Sequence, residues 1–570
     1  MKIVFIRYNP YKLETEIRVD DAPLAKNSRL KALIRDSRLQ DWTEELPDIL
    51  LEDYNDRDFH ILFQGMRSDF EDLKKAFDGA SKKKKLAARL ELKPAKSAAK
   101  QENLVRKLYK ALWSDDCPFK ELQTPQIKDA FEKAFSGDFE VCVVATMSAG
   151  KSTLINALLG RKLMPTKQEA CTAIVTRIKE EERDGFRAEV YDKSGQLLEK
   201  IDRLTWEDAA RLNEDERVFE IRAFGRIPFA AGAEGTRKKK IKLTIIDTPG
   251  PNNARNFDHK KKQREILESS SKDLVIYIMT GEFGTEDDAA LLDYMAESMA
   301  VKGTRSDRLI FAINTLDLRG EEDGSMEETL EGVQDYLREH GIEKPKLFPI
   351  AALPALNIRL LKNASCKMNK ADRRKIEADI LKLNSYKELH LEKYAALPPG
   401  VKGDIEKELA KTCKNWQGKE NADPHEALVH SGVVFLEAAI NQYACKYART
   451  AKVKNVADNI IQRIDELKSR EESKLKDAKF KREIAERWKY FPQCFIHFRT
   501  TVIEILYSNM GFGSEKSFDI EKIIAMLYAI GWYRTPLEIE EEAEEEIAAA
   551  KQHMARLAYI RKEVEGMLEI

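Results

Sequence analysis

The stretch VCVVATMSAGKST, residues 141–153, decides how the rest of the chain is read. Val141, Cys142, Val143 and Val144 form an apolar run that predicts a buried strand. Ala145, Thr146, Met147, Ser148, Ala149, Gly150, Lys151, Ser152 and Thr153 follow with P-loop spacing, Ala145 standing where the first glycine usually is. A helical run follows at 154–159. Such a loop turns backbone N–H groups inward around phosphates, and the helix N-terminus adds the positive end of its dipole. Gly150 allows the close backbone approach. Lys151 is placed to reach the β- and γ-phosphates, and the Ser152 hydroxyl to ligate Mg²⁺. The chain is therefore expected to bind a purine nucleoside triphosphate.

Three further stretches refine that reading. LTIIDTPG, residues 243–250, is a strand pattern ending in DTPG. Asp247 at such a strand end can hold Mg²⁺ through water, and Gly250 can offer its N–H to the γ-phosphate. Alone, DTPG would be an ordinary turn; after a P-loop and at a strand end, the functional reading prevails. LIFAINTLD, residues 309–317, places Asp317 to accept two hydrogen bonds from guanine N1–H and the 2-amino group. Adenine has no matching donors, and an unpaired buried polar group penalises the wrong base. Asn314 is placed for the base N7, while Thr315 stands where a lysine with a stacking stem is usual. Finally, PTKQEACTAIVTR, residues 165–177, runs from a loop into a strand. A threonine there can complete Mg²⁺ coordination and order the loop only in the triphosphate state. Thr172 and Thr176 both qualify, and Thr176 also reads as a plain strand threonine.

Around these motifs, apolar strand patterns at 141–145, 243–246, 274–279, 309–313 and 347–352 alternate with helical ones. That alternation predicts an α/β domain with a mostly parallel sheet covered on both faces. Before it, residues 1–90 read as a small α/β domain. Strands are expected at 3–8, 16–19 and 60–64, followed by a helix capped by Ser68 with Glu71 three residues on. A Lys/Ala-rich stretch from Lys82 to Lys100 reads as a linker or solvated helix. Residues 91–136 are assigned to linker and neck helices, with Leu104, Leu108 and Leu112, then Ile127, Phe131 and Phe135, at helical spacing. The nucleotide-binding α/β domain is placed at 137–445, with 356–429 as a charged helical insertion and a closing helix opening at Ser431 and Gly432. Residues 446–570 read as a helical bundle.

Composition sets bounds. At 570 residues several domains are expected. A hydrophobic share of 43% beside 34% charged residues, with 26 glycines and 18 prolines, suits a helix-rich globular chain. The net charge of −1 supplies no overall field toward nucleic acid or anionic lipid, so no nucleic-acid partner is expected. Seven cysteines without a CxxC pair fit a reducing compartment and argue against a zinc site or a disulfide framework. No run is apolar enough to span a membrane, so a cytoplasmic protein is expected, with peripheral membrane contact at most.

The combination of SAGKSTLINALLGRKLMPT, CTAIVTR, DTPG and NTLD resembles the GTPase domain of the dynamin superfamily, in particular bacterial dynamin-like proteins. Thr172 lies 21 residues after Lys151, the spacing that family uses for its switch threonine, so the resemblance favours it over Thr176. It implies GTP hydrolysis assigned to Ser148, Lys151 and Thr172. It implies Mg²⁺ held by Ser152, Thr172 and, through water, Asp247. It also implies self-association through GTPase domains, and a helical neck and trunk coupling the cycle to membrane remodelling, with a link to secretion or vesicles. Two departures stand out. Met147 replaces the glutamine that dynamins place before the P-loop serine, and Pro251 and Asn252, not glutamine, follow DTPG. The residue orienting the attacking water is therefore unassigned, and slow turnover by the monomer is expected.

Two aromatic–aliphatic segments, 488–498 and 523–533, are candidates for a lipid-facing tip, although apolar residues in a bundle are more often core. The lysine runs at 236–240 and 259–262 read as solvated loops. A soluble regulatory GTPase working through protein partners is the competing expectation, and an ATPase on the same scaffold is a third.

Overall fold

The central sheet is built where the apolar runs predict it. The structure is a computed structural model. It describes residues 1–569 except 36, 85, 96–97, 146–148, 166–173, 231–241, 249–273, 282, 285, 303–307, 319–323, 363–367, 415–420 and 490–535. The chain divides into two compact units. The first comprises 1–115, 125–456 and 568–570; the second comprises 116–124 and 457–567.

In the first unit, the N-terminal sheet contains β1 (Lys2–Asn9), β2 (Glu14–Val19), β3 (Ala22–Pro23), β4 (Asp58–Gly65) and β5 (Ala87–Pro94). Their order is β3-β2-β1-β4-β5. Strand β1 pairs antiparallel with β2 and parallel with β4, and β4 pairs parallel with β5. Val4, Ile6, Phe59, Ile61 and Phe63 alternate onto one face and share a core with Trp42, Leu73 and Phe77.

Two expectations change here. The Lys/Ala-rich stretch is not all linker or helix, because Ala87–Pro94 pairs with β4 along its whole length. Its side chains alternate between half-buried and exposed, as befits an edge strand, and its charges read as solvation in the sequence. The helix Arg67–Lys84 also begins one residue before Ser68, with Asp69 N–H bonded to the Met66 carbonyl, so Ser68 is not its cap.

The second sheet contains β6 (Asp138–Ala145), β7 (Val175–Glu180), β8 (Phe186–Tyr191), β9 (Leu197–Ile201), β10 (Glu220–Gly225), β11 (Lys242–Asp247), β12 (Leu274–Thr280), β13 (Leu309–Asn314) and β14 (Lys346–Pro349). Their order is β14-β13-β12-β6-β11-β7-β10-β8-β9. From β14 to β11 every pairing is parallel. Beyond β11 the sheet is mixed: β7 with β10 is parallel, while β11–β7, β10–β8 and β8–β9 are antiparallel. Parallel neighbours bring Ala145, Asp247 and Asn314 to the same sheet edge. Strand β14 ends at Pro349, short of the expected 352, because Ala352 already opens the helix Ala352–Lys362.

The core under this sheet joins the strands to Leu154, Ile155 and Leu158 of the P-loop helix Lys151–Leu159 and to Phe435, Leu436 and Ile440 of the helix Val433–Gln442. Leu356, Leu360, Ala395, Leu397 and Val429 belong to the same cluster, so segment 356–429 shares the core of the α/β domain. Gly432 precedes the closing helix with φ of +74°, and an added Cβ would lie 2.1 Å from the Pro349 carbonyl oxygen.

A polar seam fastens the N-terminal domain to the residues after that helix. Tyr447 Oη donates to Gln40 Oε1 at 3.0 Å. Gln40 Nε2 donates to Asp69 at 3.1 Å and to Asp72 at 2.8 Å. Lys446 pairs with Asp72, and the Arg38 guanidinium lies 3.9 Å from the centre of the Tyr447 ring.

In the second unit, residues 457–489 of the helix Ala448–Lys489 pack with the helix Pro536–Met567. Cross-pairs Arg561–Asp465, His553–Glu471 and Lys481–Glu546 run in opposite sequence order, so the two helices are antiparallel. Ile460, Ile464 and Leu467 on one helix, and Ile547, Leu557, Ile560 and Val564 on the other, are buried at helical spacing. No helix among the described residues is long and apolar enough to cross a membrane. Of the two tip candidates, 490–498 and 523–533 lie outside the described residues, as do the lysine runs 236–240 and 259–262.

Candidate nucleotide-binding site

The P-loop begins where β6 ends. Ala145 closes the strand and is buried, and Ala149 is buried after the turn. Gly150 caps the helix in the left-handed region at φ +91°, where a side chain is strained. Its neighbour leaves no room either, since an added Cβ would sit 2.3 Å from Asn314 Nδ2. Lys151 is the first helical residue, and Ser152 and Thr153 follow half-buried in the first turn. Thr146, Met147 and Ser148 lie outside the described residues, as do Thr172 and Gly250.

Lys151 and Asp247 meet at the centre. Nζ donates to Asp247 Oδ1, with Lys151 9% and Asp247 0% exposed. Burial pushes the Asp247 carboxyl up, and the Lys151 ammonium pulls it back down. Asp247 Oδ2 has no hydrogen-bond partner. A buried carboxylate oxygen left open beside a cation-binding loop suits a water held on Mg²⁺. Thr248 is fixed behind it, its Oγ1 donating to the Val143 carbonyl at 2.9 Å. Thr176 lies in β7 opposite Asp247 across the antiparallel pair and is buried.

At the base end, Asn314 is a bridge. Its Nδ2 donates to the Ala149 carbonyl at 3.0 Å, and its Oδ1 accepts from Ala352 N–H at 3.1 Å. One amide hydrogen remains for a base. Thr315 takes a left-handed φ of +64°, and its Oγ1 donates to the Asn314 carbonyl at 2.7 Å. The turn carries Asp317 on a short 3₁₀ segment, Leu316–Leu318. Asp317 is half-buried; burial raises its carboxyl pKa, and Lys382 opposes that rise while Asp379 adds to it.

Three residues that the sequence reading passes over take part. Lys382, from the helix Lys370–Ser385, donates Nζ to the Asp317 carbonyl at 2.6 Å. It brings a cation to the turn where Thr315 replaces the usual lysine. Asn156, fully buried, holds the chain after the P-loop helix. Its Oδ1 accepts from Leu163 and Met164 N–H, and its Nδ2 donates to the Met164 carbonyl. It thus fixes the start of the segment leading to Thr172, and a polar residue inside the apolar run LINALL is the signal that marks it. Arg359 donates to the Ala157 carbonyl of the P-loop helix and to both carboxylate oxygens of Glu437.

Lys151, the buried strand-end Asp247 and the bridging Asn314 thus meet at one edge of the sheet. The sequence model of the Dynamin family matches residues 141–315. These residues are a dynamin-family GTPase domain. The match runs from the first residue of the P-loop strand pattern to Thr315 and so contains both Lys151 and Asp247. No curated protein matches the chain. Among solved structures, two of an oligomerised bacterial dynamin pair, described as a mechanism for long-range sensing and tethering of membranes, are similar at 15% identity. One has a TM-score of 0.32 over 88% of this chain and 81% of the other. The second has a TM-score of 0.33 over 93% and 85%. A dimerization-deficient mutant of Toc33 from Arabidopsis thaliana aligns at 11% identity and TM-score 0.27, covering 56% of this chain and 90% of its own. The family match over residues 141–315 assigns the dynamin-type domain.

Proposed function

We propose that the site binds GTP with Mg²⁺, and that hydrolysis is coupled, through face-to-face meeting of two GTPase domains, to peripheral association with a membrane or its remodelling. The observation that supports the nucleotide chemistry is the buried Lys151–Asp247 contact with Asp247 Oδ2 left unpartnered. In this reading, backbone groups of 145–153 cradle the phosphates, and Lys151 leaves Asp247 for the β- and γ-oxygens. Ser152, Thr172 and, through water, Asp247 hold Mg²⁺, which offsets charge on the bridging phosphate oxygens. Gly250 faces the γ-phosphate. Asn314, Thr315 and Asp317 hold the base, and Ser148 with Lys151 and Thr172 stabilises the transferring phosphoryl group. The domain division near 90, 136 and 445 is part of the proposal, with its first boundary moved past Pro94, where β5 ends.

Turnover measured against protein concentration tests the dimer. A steep rise in specific activity is expected, and a constant value sinks activation by self-association. Liposome co-sedimentation with and without a non-hydrolysable GTP analogue tests the membrane. Sedimentation in neither state leaves a soluble regulatory GTPase acting through protein partners.

A further inference from the structure

Away from the nucleotide, His390, Glu392 and His430 gather in the first unit, one ligand atom from each lying within 4.8 Å of the others. His390 sits between two 3₁₀ turns, Lys387–Leu389 and Leu391–Tyr394; Glu392 is in the second, and His430 ends the helix Pro424–His430. The imidazoles stack with centroids 3.6 Å apart and planes 12° apart. Glu392 Oε1 lies 3.1 Å from His430 Nδ1 and 3.8 Å from His390 Nδ1. Glu392 is 9% and His430 6% exposed.

The bland reading is a buried histidine pair satisfied by its carboxylate. The hydrogen bonding speaks against it. His390 Nε2, Glu392 Oε2 and both ring nitrogens of His430 lack a hydrogen-bond partner. The 3.1 Å approach of His430 Nδ1 to Glu392 is therefore close in distance but off the bonding direction. Leaving a buried polar group unpaired costs about 1–3 kcal/mol each, and a packed apolar trio would avoid it. Two imidazoles and one carboxylate are instead the donor set of a borderline cation, and bonds of about 2.0–2.1 Å place tetrahedral ligand atoms about 3.3 Å apart. The two separations from Glu392 bracket that spacing, and one nitrogen of each ring lies within 4.8 Å of the other.

We infer that His390, Glu392 and His430 form a binding site for a divalent transition-metal ion of the Zn²⁺ class, with the fourth position open. The site needs no cysteine, and its ligands are separated by up to 40 residues in sequence. It lies beside the base end of the nucleotide site. Ser431, next to His430, accepts from Ala351 N–H at 2.9 Å, and Ala352 N–H bonds Asn314.

The test uses the full chain stripped with a chelator. Co²⁺ is titrated as a visible-absorbing probe and then displaced with Zn²⁺. One equivalent per chain is expected, with ligand-field bands of four- or five-fold coordination and a rise in melting temperature on Zn²⁺ addition. Glu392→Gln and the half-buried His390→Ala should each weaken binding at least about 10-fold and remove the melting shift. His340→Ala, at a histidine outside the cluster, should change neither. Should His390→Ala fail to fold, the Glu392→Gln titration decides by itself. Absence of stoichiometric binding, or binding unchanged in Glu392→Gln and His390→Ala, overturns the site.

Discussion

Lys151 and Asp247 are bonded to each other inside the site that both are expected to open to nucleotide. The pair spans the ends of two structural devices, the P-loop helix and strand β11. Removing one partner of a buried pair leaves the other charge uncompensated, at about 3–5 kcal/mol. Lys151→Ala should abolish GTP binding and turnover and also lower the melting temperature of the nucleotide-free protein. Fluorescent-nucleotide titration beside thermal melting checks both. Retained turnover would refute the site.

Gly150→Ala faces two obstacles at once, a left-handed backbone and the Asn314 amide 2.3 Å from the new methyl. Asn314 must leave the Ala149 carbonyl or the loop must shift. GTP affinity should fall by about 100-fold or more, an effect of about 3 kcal/mol from strain of about 1–3 kcal/mol and the lost tie. Asn314→Ala should reproduce part of that loss with Gly150 intact.

Asp317 is the residue proposed to select the base. Asp317→Ala should erase the preference for GTP over ATP in a competition assay, because guanine's two donors lose their common acceptor. Equal competition by ATP and GTP in the unaltered protein would show the assignment to be wrong. Lys382→Ala, at an exposed side chain, should weaken GTP binding about 3- to 10-fold, a charge-assisted bond being worth about 1.5–3 kcal/mol at most, and leave melting nearly unchanged.

Asp69 gives the N-terminal domain a pH dependence. Burial pushes its carboxyl up to about 6, the hydrogen bond from Gln40 pulling the other way. An acid whose folded pKa exceeds the unfolded value of about 4 binds its proton more tightly when folded. Its contribution is thus present below about pH 4 and is lost as pH rises toward about 6, by up to about 3 kcal/mol. Asp69→Asn should flatten that part of the stability profile, as read by denaturation across the interval. An unchanged slope would show that Asp69 ionises freely.

Legibility in the sequence followed burial. β6, β11, β12 and β13 announce themselves as near-continuous apolar runs because helices cover both faces of a parallel sheet. β8, β9 and β10, in FRAEVY, LLEKI and EIRAFG, alternate charged with apolar residues, and the sequence reading passed over them. β5 was hidden for the same reason within its lysines and alanines. Lys151, Asp247 and Asn314 are readable because backbone geometry forces fixed local spacing. Lys382 and the trio His390, Glu392 and His430 are not, because they meet only through tertiary packing that no local pattern encodes.

Arg359 holds the P-loop helix at Ala157 and the closing helix at Glu437 with one guanidinium. The two helices therefore behave as a rigid yoke. Any nucleotide-driven tilt of Lys151–Leu159 must carry Val433–Gln442 along or break a buried ion pair at about 3–5 kcal/mol. The closing helix leads through Tyr443–Tyr447 into the 42-residue helix Ala448–Lys489. A tilt at the phosphate loop would thus be handed on to Val433–Gln442, with Arg359 as the pin.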